Sequence, residues 1–146
     1  MQDLKVLKDF KVKTQTQVRW VDMDILGHVN SSKYFTYFEV ARIKYYEKLK
    51  LLEDFKKSNI AGVLSRTECS YLVPLNYPDT LTIGARVTEI FEYSMVMEYF
   101  IKSKSRGLSS IGEAEIIFYD FSTNKKIVIP KKVAEKIKKF ENLLSK

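Results

Sequence analysis

The segment WVDMDILGHVNSSKYF, residues 20–35, lies where the hydrophobic periodicity of the chain changes. Before it, residues 11–20 (KVKTQTQVRW) alternate polar side chains with apolar or β-branched ones, which predicts a strand with one polar face. After it, apolar side chains recur at steps of three and four, the spacing of one helix face: Tyr34, Phe38, Ala41, Tyr45 and Leu49. We therefore expect a strand, a polar loop and a helix that runs to about Lys50, with Asn30 or Ser31 as its cap.

The rest of the chain predicts mainly strands. Four stretches rich in alternating, β-branched or aromatic residues follow one another and are separated by turns: residues 62–73, 80–90, 94–104 and 111–121. Residues 126–130 are a candidate for a short further strand, and an apolar stripe after Pro130 predicts a C-terminal helix that includes Leu144. Consecutive strands joined by short turns form antiparallel sheets. We expect an α+β fold in one domain, residues 1–146, with about five strands around a buried helix.

Composition restricts the class of function. The 146 residues carry a formal net charge of +7, but the lysines are spread along the chain and the aromatic residues fall mostly on core stripes, so we expect no nucleic-acid partner. No apolar run is long enough for a membrane span, and we expect no membrane partner. One cysteine and one histidine cannot supply an internal disulfide or an ordinary zinc set, so we expect no metal. The cysteine count and the absence of a leader pattern predict a cytoplasmic protein.

The polar loop concentrates side chains that either do chemistry or hold a turn. Asp24 is a catalytic carboxylate or a turn residue, and Asp22 is a second candidate base or a structural anchor. His28 acts on a substrate or packs as a satisfied histidine. Asn30 fits a helix cap better than a substrate contact. The residues alone leave these alternatives open.

Residues 22–42 read D-x-D-x-x-G-H-V-N-x-x-x-Y-x-x-x-x-E-x-A-R. This pattern resembles the N-terminal motif of hotdog-fold thioesterases of the 4-hydroxybenzoyl-CoA thioesterase family, and the resemblance extends from about Val12 to Phe121. It implies a long central helix wrapped by a curved antiparallel sheet, with subunits assembled as dimers or tetramers. It also implies hydrolysis of an acyl-CoA thioester to a free acid and coenzyme A, without a metal or redox cofactor.

The resemblance also implies roles for individual residues. Asp24 is the expected general base or nucleophile, and His28 is expected to polarise the carbonyl or to orient Asp24. The backbone amide of Ser31 is the expected oxyanion donor, because the first N–H groups of a helix are unpaired and favour negative charge. Three more residues are candidate members of the site: Asp22, Asn30 and Glu39.

Residues for the phosphates of coenzyme A are selected by charge and position. Some relatives carry basic residues just before the serine of the segment IFEYSM, but this chain has FEY at residues 91–93. Phosphate binding must therefore come from elsewhere. We select four residues because they are basic and lie on or near predicted strands: Arg66, Lys102, Lys104 and Arg106.

Three alternative functions stay open. The acyl group could be carried by an acidic acyl carrier protein, which a basic surface would attract. A hydratase or dehydratase of β-hydroxyacyl thioesters would pair His28 with Glu39. Otherwise Glu39 pairs with Arg42 on the same helix or, if it is buried, reaches the site of a neighbouring subunit. A non-catalytic acyl-CoA-binding protein would keep the fold and have no need of Asp24.

Overall fold

The computed structural model describes residues 7–143. The strands are β1 (Val12–Gln17), β2 (Ile60–Tyr71), β3 (Thr80–Ile90), β4 (Ser94–Ser103), β5 (Gly107–Asp120) and β6 (Lys125–Ile127). The helices are α1 (Lys33–Lys48), α2 (Leu51–Ser58) and α3 (Lys131–Glu141), and a short 3-10 turn (Trp20–Asp22) follows β1. Leu144 of the predicted C-terminal stripe lies outside the described residues.

The strands form one antiparallel sheet in the order β1-β3-β4-β5-β2, and β6 pairs with β5. This arrangement confirms the predicted α+β class and the antiparallel sheet. The candidate strand at residues 126–130 forms as β6, so the sheet has six strands rather than about five. Strands β1 and β2 are the two edges of the sheet. In the sequence they are consecutive strands, separated by the polar loop and the helices α1 and α2.

The prediction that the first helix runs to about Lys50 is confirmed, since α1 ends at Lys48, but the second helix α2 was not predicted. Lys50 adopts a left-handed backbone conformation, with φ of 57°, and separates α1 from the short helix α2. No glycine or proline marks this break in the sequence, and Leu51 and Phe55 are buried like the stripe before them. Within residues 7–143, no helix is both long enough and apolar enough to cross a membrane.

The predicted apolar stripe of α1 is confirmed as the buried side of the helix. All five of its members are buried, and Ala41 and Tyr45 have no exposed surface. The ring of Phe38 stacks on Tyr99 of β4, with 4.8 Å between the ring centroids. Stacked aromatic pairs of this kind stabilise a fold beyond the area that they bury. The helix is therefore held firmly against the sheet, and its N-terminal end has a defined position.

Helix α1 packs closely on Gly112 of β5 through the ring of Phe38. A Cβ atom at this position would overlap the ring of Phe38, which is almost completely buried and cannot move aside. We expect Gly112→Ala to lower the free energy of unfolding by about 2 kcal/mol, because overpacking a filled core forces side chains out of their rotamers. Urea unfolding measures this change. Lys13→Ala, at an exposed position of β1 paired with Gly84, is the control and should cost less than about 1 kcal/mol; equal losses would contradict the account.

Two segments meet at the N-terminal end of α1. One is the loop of residues 18–30, and the other is the connection of residues 72–79 between β2 and β3. The N–H of Val29 donates to the Leu75 carbonyl at 2.8 Å, and the N–H of Val18 donates to the Asp79 carbonyl at 3.0 Å. These bonds bring the polar loop beside the end of β2.

Candidate active site

Asp22 is an internal anchor of the polar loop. It is 2% exposed, and its Oδ2 accepts the N–H of Arg19 at 2.9 Å and the hydroxyl of Tyr37 at 2.8 Å. The guanidinium of Arg19 donates to Oδ1 at 3.2 Å. Burial raises the pKa of Asp22, but these donors together outweigh burial and hold that pKa below its usual value. With both oxygens occupied, Asp22 fits the structural interpretation better than the role of a base.

Asp24 differs from Asp22 in leaving one carboxylate oxygen free. Its Oδ1 accepts the N–H of Leu26 at 2.9 Å, and its backbone N–H donates to the His28 carbonyl at 2.9 Å. The turn closes through Gly27, whose φ of +81° suits glycine, and whose N–H donates to the Asp24 carbonyl. Within residues 7–143, Oδ2 has no hydrogen-bond partner, and the side chain is partly exposed. This oxygen is available to water or to a substrate.

The start of α1 supplies an unpaired backbone donor. The carbonyl of Asn30 accepts the N–H of Lys33 at 2.9 Å, and its Oδ1 accepts the N–H of Ser32 at 2.9 Å. No acceptor among the described residues takes the N–H of Ser31. Asn30 therefore satisfies the first turn of the helix, in agreement with its interpretation as a cap, although the helix begins at Lys33. The N–H of Ser31 is the one left for a ligand near the positive end of the helix dipole.

One open cleft brings these groups together. Its volume is about 320 Å³, and it contains Asp24, His28 and Ser31 from the motif. The imidazole of His28 is exposed and makes no hydrogen bond to any residue in the 7–143 range. The remaining lining is mainly apolar or aromatic: Leu26, Val29, Tyr34, Tyr71, Leu72, Val73 and Pro74. Residues that carry a carboxylate, an imidazole and an unpaired backbone N–H thus line one largely apolar cleft.

Glu39 is not part of this cleft. It is exposed in the single chain, on the part of α1 that carries Val40 and Ile43, and a role in a neighbouring subunit's site stays a prediction. There it lines a separate open groove of about 470 Å³ with Val40 and Ile43. The expected pairing with Arg42 is wrong: the guanidinium of Arg42 donates to the hydroxyl of Tyr99 at 3.2 Å. Asp22 and Asn30 likewise do not line the cleft, although both support its loop.

The basic residues selected from the sequence lie away from the cleft lining. Arg66 is engaged in ion pairs with Glu68 at 3.1 Å and Glu113 at 2.8 Å. Lys102 and Lys104 line another groove, beside the edge strand β1. Arg106 comes nearer, because its guanidinium donates to the carbonyl of Pro74 at 2.9 Å, and Pro74 lines the cleft.

Sequence reasoning missed one wall of the cleft, which is formed by the end of β2 and the residues that follow it. Tyr71 donates its hydroxyl to the Ser31 carbonyl at 2.9 Å, and Asn76 donates its side-chain N–H to the Gly27 carbonyl at 2.6 Å. The only signal for Tyr71 was its place at the end of a predicted strand. Nothing local to the sequence pointed to Asn76.

The described residues also bear on metal binding. Within residues 7–143, no three side chains of the histidine, cysteine, aspartate and glutamate types come close enough to hold a metal ion. The groups that line the cleft include a carboxylate, an imidazole and a backbone N–H donor. Such a set can activate water and stabilise an oxyanion.

Comparison with known proteins places this geometry in a family. A family model described as the thioesterase-like superfamily matches residues 18–137. The long-chain acyl-CoA thioesterase FadM of Escherichia coli is 27% identical over 128 residues, which is 86% of this chain and 96% of FadM. The uncharacterized protein YsmA of Bacillus subtilis is 28% identical over 90 residues, and this match spans 62% of the chain and 60% of YsmA. A crystal structure of a Thermus thermophilus thioesterase complexed with coenzyme A and zinc superposes with a TM-score of 0.80 at 26% identity, covering 94% of this chain and 99% of the other.

Proposed function

The chain belongs to the thioesterase-like superfamily and is a thioesterase with the hotdog fold, and we propose that it hydrolyses acyl-CoA thioesters in the cleft between Asp24 and the start of α1. One observation carries the proposal: Asp24, which has a free carboxylate oxygen, and Ser31, which has an unpaired N–H, line the same cleft. Acyl-CoA is the substrate of FadM, and coenzyme A is bound in the Thermus structure, which supports this substrate class.

The reaction needs an acceptor for a proton and a donor for an oxyanion. In the proposed arrangement, the thioester carbonyl oxygen accepts the N–H of Ser31, and negative charge builds on it as the carbonyl carbon is attacked. Asp24 takes a proton from the attacking water, a C–O bond forms, the C–S bond breaks, and the coenzyme leaves as a thiol after receiving that proton. Direct attack by Asp24, followed by hydrolysis of an anhydride, uses the same two groups and gives the same products.

His28 is proposed to act on the substrate carbonyl or on the orientation of Asp24. The imidazole lines the cleft, and the backbone carbonyl of His28 already accepts the N–H of Asp24. This bond closes the tight turn between Asp24 and His28. The turn keeps the imidazole of His28 near the carboxylate of Asp24, where an imidazole N–H can donate to the same oxyanion.

The two ends of the substrate need different surroundings. The acyl group is proposed to lie against the apolar lining, which includes Leu26, Leu72 and Val73. For the coenzyme phosphates we propose Arg106, which lies at the rim of the cleft, in preference to Arg66, whose charge is already balanced by two glutamates. Lys102 and Lys104 stay candidates for the distal part of the coenzyme.

We propose that subunits pair through β2. This strand bonds to β5 on one side only, and most of its residues from Val63 to Tyr71 are exposed. A long edge strand without a partner is a template for pairing with another chain. The single domain, the dimer or tetramer and the cytoplasmic location stay predictions.

Release of free thiol from a panel of acyl-CoA esters tests the proposed function. The panel runs from short to long straight chains and includes aromatic acyl groups and one acyl carrier protein thioester. We expect saturable release of thiol with an equal amount of free acid. Saturable binding without release from any member would instead support a non-catalytic binding protein, and release from the carrier-protein thioester alone would contradict the choice of coenzyme A.

A further inference from the structure

The hydroxyl of Tyr71 joins the end of β2 to the start of α1. It donates to the Ser31 carbonyl at 2.9 Å, across 40 residues of sequence. The ring packs edge-on against Tyr34, with 4.7 Å between the centroids, and Tyr34 is buried on the first turn of the helix. Tyr71 thus touches the helix start through both its hydroxyl and its ring.

We infer that Tyr71 is a positioning residue for the oxyanion donor, holding the backbone so that the N–H of Ser31 faces the cleft. The inference rests on the proposed thioester hydrolysis. It adds a residue from outside the D-x-D loop and the helix, and it gives the wall formed by β2 a role in the reaction.

The bonds around the helix start support this role. The peptide unit between Ser31 and Ser32 is planar, and it is held at both ends. Tyr71 donates to its carbonyl oxygen, and the Oδ1 of Asn30 accepts its N–H at 2.9 Å. The N–H of Lys33 is also taken, by the carbonyl of Asn30. The N–H of Ser31 belongs to the preceding peptide unit, whose Asn30 carbonyl is the one held by Lys33. With a bond on each of the two units, the torsions of Ser31 that join them are restrained, and its N–H stays free for a ligand with a restrained direction.

Tyr71 remains a donor at neutral pH. Burial raises the pKa of its hydroxyl above the usual value, and the neighbouring Cys69 raises it further. The hydroxyl is therefore protonated at neutral pH and can donate to the Ser31 carbonyl.

A donor that is present but misdirected still loses much of its effect. Removing an oxyanion donor costs about a hundredfold or more in rate, and a shift of about 1 Å in a positioned group can have a large effect. Loosening the Ser31–Ser32 peptide unit leaves the N–H in place but broadens its direction. The expected loss is therefore smaller than for removing the donor.

Tyr71→Phe tests the inference, because it removes the hydroxyl and keeps the ring against Tyr34. We expect kcat to fall about tenfold with KM within about twofold of wild type, since the donor acts on the transition state more than on the bound substrate. The Tm should stay within about 2 °C. Tyr93→Phe is the matched control, because Tyr93 is exposed and its hydroxyl makes no hydrogen bond to a described residue. The kcat of this variant should equal that of wild type.

A second readout follows the backbone directly. In a 15N-labelled protein, Tyr71→Phe should shift the amide resonances of Ser31 and Ser32, while Tyr93→Phe leaves them unchanged. Unchanged kcat in an active enzyme overturns the inference and leaves the proposed function standing. A rise in KM with unchanged kcat also overturns it, because Tyr71 would then be a substrate contact. An inactive wild-type protein overturns the proposed function, and the inference falls with it.

Discussion

Asp24→Asn lowers kcat for thioester hydrolysis by about a hundredfold or more, while the Tm and the circular dichroism spectrum remain those of the wild type. The amide keeps an oxygen for the N–H of Leu26, so the turn between Asp24 and His28 is preserved. It cannot accept a proton from water or attack a carbonyl. Initial rates of thiol release at saturating acyl-CoA measure the loss.

The control for Asp24 is another exposed carboxylate. Asp9→Asn changes the charge by the same amount at a surface position paired loosely with Arg86, at 3.6 Å, and should leave kcat unchanged. If turnover in Asp24→Asn stays within about threefold of wild type, Asp24 is not the base or nucleophile. In that case the imidazole of His28 would be the next candidate base in the cleft.

Asp22→Ala lowers the free energy of unfolding by about 3 kcal/mol, the largest effect on stability that we expect in the loop. The change removes three hydrogen bonds and leaves the hydroxyl of Tyr37 buried without its acceptor. Urea unfolding at pH 7 measures the loss. Asp54→Ala is the control, because Asp54 is bound at the surface by Lys132 and Lys136 and should contribute less than about 1 kcal/mol.

The contribution of Asp22 should also depend on pH. Its folded-state pKa lies below the usual value, since the donors that bind the carboxylate outweigh the cost of burying it. The stabilisation is therefore fully present above the unfolded-state pKa of about 3.9 and is lost as the pH falls through the lower folded-state pKa. The difference in stability between wild type and Asp22→Ala should be constant from neutral pH to about pH 5 and should shrink below about pH 4. A difference under about 1 kcal/mol at pH 7, or one that grows on acidification, would contradict this account.

The fold was predictable where periodicity reflects burial. The stripe of α1 and the alternation of β1 each mark one face packed on the core, and all five stripe residues are indeed buried. The end of α1 near Lys50 was predictable from the end of its apolar stripe, but the helix α2 was not, because the left-handed residues that bound it, Lys50 and Asn59, are not glycines. Leu51 and Phe55 of α2 are buried, but they give only one step of the helical spacing.

The candidate site was predictable only as far as it is local in sequence. Asp24, His28 and Ser31 lie within eight residues, so one turn and one helix start bring them to the same cleft. Tyr71 and Asn76 reach the same place because of strand register and the course of the connection after β2. The sequence also does not show which basic residues are already paired, as Arg66 is with two glutamates.

The most direct test of the central claim is a crystal structure of Asp24→Asn with an intact acyl-CoA substrate. The slow variant should retain the thioester long enough to be observed. We predict that the thioester carbonyl oxygen lies about 3 Å from the backbone nitrogen of Ser31, with the carbonyl carbon facing the side chain of residue 24. A thioester that binds in the separate groove lined by Glu39 and Val40, or whose carbonyl points away from Ser31, would contradict the account.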